Sequence, residues 1–159
     1  LCDSWEKSAM QFESLGTRVC KVRTGIVLGD QGALAKMLLP FNLGLGGRIG
    51  DGRQLMSWIH INDMVNILLH CIADPELFGP INATAPNPVN NKTFVLALGK
   101  VLHRPTLLPM PGFMVKSLLG EMGIELLLQG QHVIPQKLQR NGFEFEFPTL
   151  SRALEDLLD

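Results

Sequence analysis

The chain contains no tyrosine. A phenol is therefore excluded as the general acid or base among these residues. Nor is there a G-x-G-x-x-G turn between a strand and a helix, so the usual pyrophosphate-binding fingerprint is missing. Cysteine is scarce: Cys2, Cys20 and Cys71 are widely spaced, odd in number and form no C-x-x-C pair. That excludes a disulfide framework and predicts reduced thiols in a cytoplasmic protein. His60, His70, His103 and His132 are scattered without H-E-x-x-H-type spacing, so no metal site is expected. Fourteen basic and fifteen acidic residues are interspersed, for a net charge of −1. With no basic stripe, nucleic acid is not an expected partner. No apolar run reaches the roughly 18 residues that would cross a bilayer, and no membrane partner is expected. Leu1 is not an initiator methionine and no signal-peptide pattern follows it. The chain is expected to begin inside a longer reading frame.

What is present is apolar and glycine-punctuated. Of 159 residues, 46% are hydrophobic and 18% charged, enough for one domain with a real core. The most informative stretch is Gly44 to Val65, GLGGRIGDGRQLMSWIHINDMV. Its glycines make a loop that no packed helix or strand would choose. The loop carries Arg53 and Gln54, two side chains suited to approaching a ligand. Ser57 to Ile61 then reads as a strand, and Asn62 as the N-cap of a helix running to Ala73, with Asp63 in its first turn.

The pattern predicts alternating helices and strands. Ser4 to Leu15 reads as an amphipathic helix, with Trp5, Ala9, Phe12 and Leu15 on one stripe and Gly16 as its stop. Arg18 to Leu28 reads as a β-branched strand. Gly32 to Phe41 is a second apolar helix, kinked or ended at Pro40. Gly79 to Ala85 is extended, Asn90 to Leu102 helical, Arg104 to Pro109 extended. Gly112 to Leu128 reads as a long apolar helical stretch and Pro135 to Asn141 as a short helix. Phe143, Phe145 and Phe147 alternate with Glu144 and Glu146 as in a half-buried strand. Thr149 caps a final helix, Leu150 to Leu158. Such alternation predicts α/β with a mainly parallel sheet. The strands are too few for a complete doubly wound domain.

The string VRTGIVLGDQGALAKMLLPFNLGLGGRIGDGRQLMSWIHINDMV, from Val22, resembles the extended short-chain dehydrogenase/reductase superfamily. More closely, it is similar to the YfcH-like type of the NAD-dependent epimerase/dehydratase branch. GPINATAP at Gly79 to Pro86, FVLALGKVLHRPTLLPMP at Phe94 to Pro111 and the segment Gly130 to Leu158 extend the resemblance over essentially the whole chain. The resemblance implies a protein of about twice this length, a usual size for a two-part α/β enzyme. An N-terminal half would hold the Rossmann fold. This chain would be the C-terminal half of that doubly wound fold, with a mostly helical substrate-side cap. The implied division is residues 1–90 for the end of the Rossmann-type domain and 91–159 for the cap.

The resemblance also implies residue roles. The superfamily pairs a tyrosine acid/base with a lysine, typically four residues before a helix glutamate. Aligning that glutamate on Glu6 puts Cys2 at the lysine position and the tyrosine before Leu1, so no catalytic residue is assigned in this chain. Arg23-Thr24-Gly25-Ile26-Val27 resembles the superfamily's Arg-Pro-Gly-x-Val segment under the nicotinamide, assigning Thr24, Ile26 and Val27 to the cofactor, NAD or NADP in the full-length protein. Arg53 and Gln54 correspond to the loop that meets the substrate, a small molecule of the nucleotide-sugar kind; Arg suits a diphosphate because its guanidinium forks onto phosphate oxygens. Trp58 is a further substrate candidate, stacking on a base or sugar, with a buried core position as the commoner outcome for such a residue. His60 and Asp63 are expected to fix strand to helix, the Phe143–Phe147 stripe to be core, and Met110, Met114 and Met122 to fill gaps in the cap. The function implied is that of an NAD(P)-dependent nucleotide-sugar epimerase or dehydratase. The other reading is a cofactor-binding regulatory module that has lost the tyrosine–lysine chemistry. Apolar faces left without neighbouring strands predict that the fragment forms a homo-oligomer.

Overall fold

The computed structural model describes residues 2–107, 109–110 and 130–158. Helix α1 (Cys2–Met10) runs into a 3-10 turn over Gln11–Leu15. Strands β1 (Cys20–Thr24) and β2 (Ile26–Leu28) follow, then helix α2 (Ala33–Asn42). After the glycine loop come β3 (Leu55–Met56), β4 (Trp58–His60) and α3 (Ile61–Ala73). Then come β5 (Gly79–Ala83), β6 (Val89–Asn90) and α4 (Asn91–Val101). Two further helices, α5 (Gln136–Arg140) and α6 (Leu150–Leu158), complete the described chain. The expected helical stretch 112–128 lies outside the described residues.

The strand expected over Arg18 to Leu28 is two strands. β1 pairs in parallel with β5, Cys20 opposite Gly79 and Thr24 opposite Ala83. β2 pairs in parallel with β4, Ile26 opposite Trp58 and Leu28 opposite His60. The chain changes neighbours at Gly25. The strand expected over Ser57 to Ile61 is likewise shorter, and the separate β3 pairs antiparallel with β6.

Period-two alternation sorts the sheet residues onto two faces. Leu28 and Trp58 join one core with Leu34, Phe94, Leu98 and Leu154. Their chain neighbours Val27 and Ile59 join the other, with Ile67, Leu77, Ile81 and Leu138. The first core draws residues from both sides of position 90, so packing is continuous across the expected domain boundary.

Helix ends are satisfied locally and from afar. Asn90 caps α4, its side chain accepting the Thr93 N–H at 2.8 Å. For α3 the cap is His60 rather than Asn62: its Nδ1 accepts the Asn62 N–H at 3.1 Å. The imidazole can take this place because the buried ring is already held by stacking on Phe147, with centroids 3.8 Å apart. At the other end of α3, the Arg18 guanidinium donates to the carbonyls of Cys71 and Leu77, each at 2.7 Å. These are orphan acceptors of a helix C-terminus and the turn beyond it.

One expected strand is corrected. The Phe143–Phe147 segment forms no strand. Its burial alternates, but its backbone finds the Asp63 carboxylate, which accepts N–H groups from Glu146 and Phe147, instead of a partner strand. The α1 stripe is an unpartnered apolar face: Trp5, Phe12 and Leu15 are all exposed, and α1 buries no residue.

Candidate functional site

The neighbour change at Gly25 builds the site. Its N–H donates to the Ala83 carbonyl at 3.1 Å, and the next N–H, of Ile26, donates to the Ser57 carbonyl at 2.8 Å. A Cβ on Gly25 would stand 2.6 Å from the Ser57 oxygen, so only glycine lets the strands meet here. Beyond this joint the carboxyl ends of β1 and β5 open onto a cavity of about 560 Å³. Ligands of α/β sheets bind in this position.

Thr24, Gly25 and Ile26 line the cavity on one side, Asn82 and Thr84 beside them. The remaining wall is a strap, residues 131–134, tied to the sheet by polar groups. The Ser57 hydroxyl donates to the Gln131 carbonyl at 2.7 Å and accepts the Val133 N–H at 2.9 Å. The Asn82 amide donates to the Ile134 carbonyl at 3.1 Å, and the Thr84 hydroxyl lies 3.4 Å from the Val133 carbonyl. The Gln131 N–H reaches the Leu55 carbonyl at 2.9 Å. Gly130, at φ +63°, permits this approach, since a Cβ there would meet the Leu55 nitrogen at 2.8 Å.

Arg23 also lines the cavity, but its guanidinium is engaged. Nε and Nη2 donate to the two Glu6 oxygens at 2.7 and 2.8 Å, a bidentate pair. The hydrogen bond from Arg23 holds the Glu6 carboxyl below the ordinary carboxylate range, and Glu6 in turn raises the Arg23 guanidinium. The polar capacity of the cavity therefore rests on the hydroxyls and amides of Thr24, Thr84, Asn82, Gln131 and Gln136, with His132 at the wall. Such groups suit a ring bearing hydroxyls or a carboxamide.

The expected site residues separate. Thr24 and Ile26 face the cavity together. Val27, one residue on, lines a second hollow of about 430 Å³ beside Gly29 and Asp30, which Ile26 also borders. Arg53 is exposed in the glycine loop, its guanidinium 3.9 Å from the Asp51 carboxylate. Gln54 braces that loop: its side-chain amide donates to the Ile49 carbonyl at 2.9 Å, and its main-chain carbonyl accepts the Asn91 N–H at 2.9 Å. Trp58 is 0% exposed and its indole N–H donates to the Asn87 carbonyl at 3.1 Å. The ring has no free face on which a base or sugar could stack, so Trp58 is corrected to a core residue. Ser57, Asn82, Thr84 and the strap were not legible as site residues. The one local cue is a serine between Met56 and Trp58, a polar residue in an apolar strand.

Residues 110–157 match a family described as "Domain of unknown function (DUF1731)". An epimerase family protein of Mycobacterium leprae, ML0860, is 46% identical over 155 residues, covering 97% of this chain and 50% of that protein. The crystal structure of human epimerase family protein SDR39U1 (isoform 2) with NADPH matches at TM-score 0.82 and 40% identity, over 89% of this chain and 48% of that one. Over the part they share, the chain is similar to proteins named as members of the epimerase family. The nucleoside-diphosphate sugar epimerase of Corynebacterium glutamicum is similar at TM-score 0.73 and 29% identity, over 99% of this chain and 30% of that one. The chain spans about half the length of the curated relatives it matches. Its mixed α/β architecture with parallel strands is that of the epimerase folds. Among the described residues of this chain, no helix is long and apolar enough to cross a membrane. Among the same residues, no three His, Cys, Asp or Glu side chains cluster to hold a metal ion.

Proposed function

We propose that this chain supplies the nicotinamide-side wall and the substrate loop of an NAD(P)-dependent oxidoreductase of the epimerase/dehydratase kind, acting on a nucleotide-sugar. The observation that carries this reading is the cavity around Thr24, Gly25 and Ile26, at the carboxyl ends of parallel strands and walled by uncharged polar groups. Thr24 and Ile26 would meet the cofactor ring directly, and Val27 would back them from the adjoining hollow. The human relative was crystallised with NADPH, which makes that dinucleotide the first to test, with NAD beside it. When bound, the cofactor supplies hydride chemistry; these residues position it and shape its surroundings. Arg53 and Gln54 are assigned to the substrate, with the exposed Arg53 guanidinium available to phosphate oxygens. The division at residue 90 is then one of role: residues 1–90 carry the sheet and the loop, and residues 91–159 the substrate-side cap. Free thiols at Cys2, Cys20 and Cys71 fit a reducing compartment such as the cytoplasm.

A second reading, a cofactor-binding regulatory module, is favoured by Cys2. That exposed thiol stands where the resemblance puts the superfamily lysine, and it supplies no fixed positive charge. One experiment on the full-length protein separates the two. NADPH and NADH are titrated by calorimetry, and uridine and thymidine diphosphate sugars are then followed by NMR at their anomeric protons. Binding with sugar turnover supports the enzyme. Binding without turnover of any sugar supports the regulatory module, and no dinucleotide binding overturns both.

A further inference from the structure

Ser57 sits in a run of core residues: Met56, Trp58 and Ile59 are buried, and Ser57 itself is 8% exposed. A hydroxyl in such a place is costly unless it is hydrogen-bonded. Here both its donor and its acceptor capacity go to the strap, to the Gln131 carbonyl and the Val133 N–H. The strap has little apolar burial to hold it. Gln131, His132 and Ile134 are exposed, and Val133 is only half-buried. Its attachment is thus polar rather than apolar, with Ser57 at its centre and Asn82 at its far end.

We propose that Ser57 is a positioning residue: its hydroxyl pins the 131–134 strap against the sheet and so sets how tightly the cavity grips its ligand. This rests on the cofactor reading given above. The strap exchanges between a pinned and a lifted state, and the ligand binds the pinned one. Removing the hydroxyl raises the lifted fraction, and apparent affinity falls by the same factor. The Asn82 and Leu55 bonds remain, so the strap loosens without the sheet coming apart.

The test uses the full-length protein as wild type, Ser57→Ala and Ser57→Thr. Hydrogen exchange is read by mass spectrometry over residues 130–135, and NADPH affinity by fluorescence titration. Ser57→Ala is expected to speed exchange of the Val133 amide about tenfold and to weaken NADPH by about the same factor. Ser57→Thr, which keeps the hydroxyl, should restore both. Exchange in β4 and β5 should not change, which separates a loosened strap from general destabilisation. Unchanged exchange at Val133 in Ser57→Ala, or faster exchange with NADPH affinity intact, overturns the proposal. If the wild type binds no NADPH, the cofactor reading fails, while faster Val133 exchange in Ser57→Ala still upholds the pin. Should Ser57→Ala not fold, Asn82→Ala must raise exchange in the same peptide, or the proposal falls.

Discussion

Asp63 on α3 accepts the backbone N–H of Phe147 at 3.0 Å, across 84 positions of sequence. Its other oxygen accepts the Glu146 N–H at 2.8 Å, and the side chain is completely buried. The carboxylate thus replaces a missing partner strand for the Phe143–Phe147 segment. Its neighbour on the same turn, His60, stacks on Phe147 and brings its Nε2 to 3.3 Å from the Asp156 carboxylate on α6. These contacts fasten the C-terminal segment to the sheet.

Asp63→Ala leaves two N–H groups unpaired in a buried place. A loss of about 2–4 kcal/mol is expected, with Asp63→Asn, which keeps one acceptor oxygen, losing about half as much. Denaturant titration of both variants reads this as a lower midpoint at unchanged slope. A midpoint equal to wild type in the alanine variant would show that the segment is held by its phenylalanines alone.

Gly25→Ala drives a Cβ to 2.6 Å from the Ser57 carbonyl oxygen. Backbone cannot yield as a flexible side chain can, so β2 and β4 must part. The expected result in the full-length protein is a thermal midpoint lowered by several degrees together with weaker NADPH binding, because joint and cavity share the residue. Gly142→Ala, with open space around its Cβ but φ +73°, is the comparison: it strains the backbone without touching the cavity, so it should cost stability and leave NADPH affinity intact.

On the proposed substrate assignment, Arg53→Ala weakens a phosphate-bearing substrate by roughly 2–4 kcal/mol, through loss of a charge-assisted bidentate contact. Arg53→Lys recovers only part, since an ammonium has no planar fork. Cofactor affinity should hardly change, because Arg53 lies outside the cavity lining. Calorimetry of both ligands with both variants checks this. Collapse of cofactor binding with substrate binding intact would move the loop to the cofactor side.

The described chain by itself exposes Trp5, Phe12 and Leu15 at one end and Leu69, Ile72 and Phe78 elsewhere. Prepared alone, it is expected to self-associate through the α1 face, since apolar patches of this kind seek cover. It should also bind dinucleotides no tighter than about 10 µM, on the order of −7 kcal/mol, lacking the glycine fingerprint. Light scattering at several concentrations and an NADH titration read the two properties on one sample. A strict monomer, or tight NADH binding, would contradict the respective half.

Glu6 is paired with Arg23 of the cavity wall, and the pairing perturbs its titration. Its value is held below the ordinary carboxylate range by Arg23, so its contribution is present above that range. It is lost as pH falls through the depressed value. Acidification should therefore loosen α1 from β1 first at strongly acid pH, with a modest effect because the pair is solvent-exposed. Trp5 emission followed in a Trp58→Phe background reports the change. Glu6→Gln should abolish the acid step; persistence of the step would assign it to another carboxylate.

Much of the architecture was written in local pattern. The helical pattern from Asn90 to Leu102 announced α4, and the apolar run to Ala73 announced α3. Each depends on residues a few positions apart, where backbone geometry alone decides who meets whom. The resemblance carried by the Val22–Val65 string likewise needed no fold to be seen. Only the tertiary structure decided which polar groups meet. That Gly25 is a joint between two strand pairs, that Asp63 serves a segment over eighty residues away, and that Ser57 holds the strap all follow from loop closures. A buried carboxylate or hydroxyl must find its partner wherever the closed chain delivers one, and no local periodicity encodes that address. For the same reason Trp58, legible as a ligand platform, became core. A sequence shows that an indole is present, but packing from α4 and α6 decides whether either face of it meets solvent.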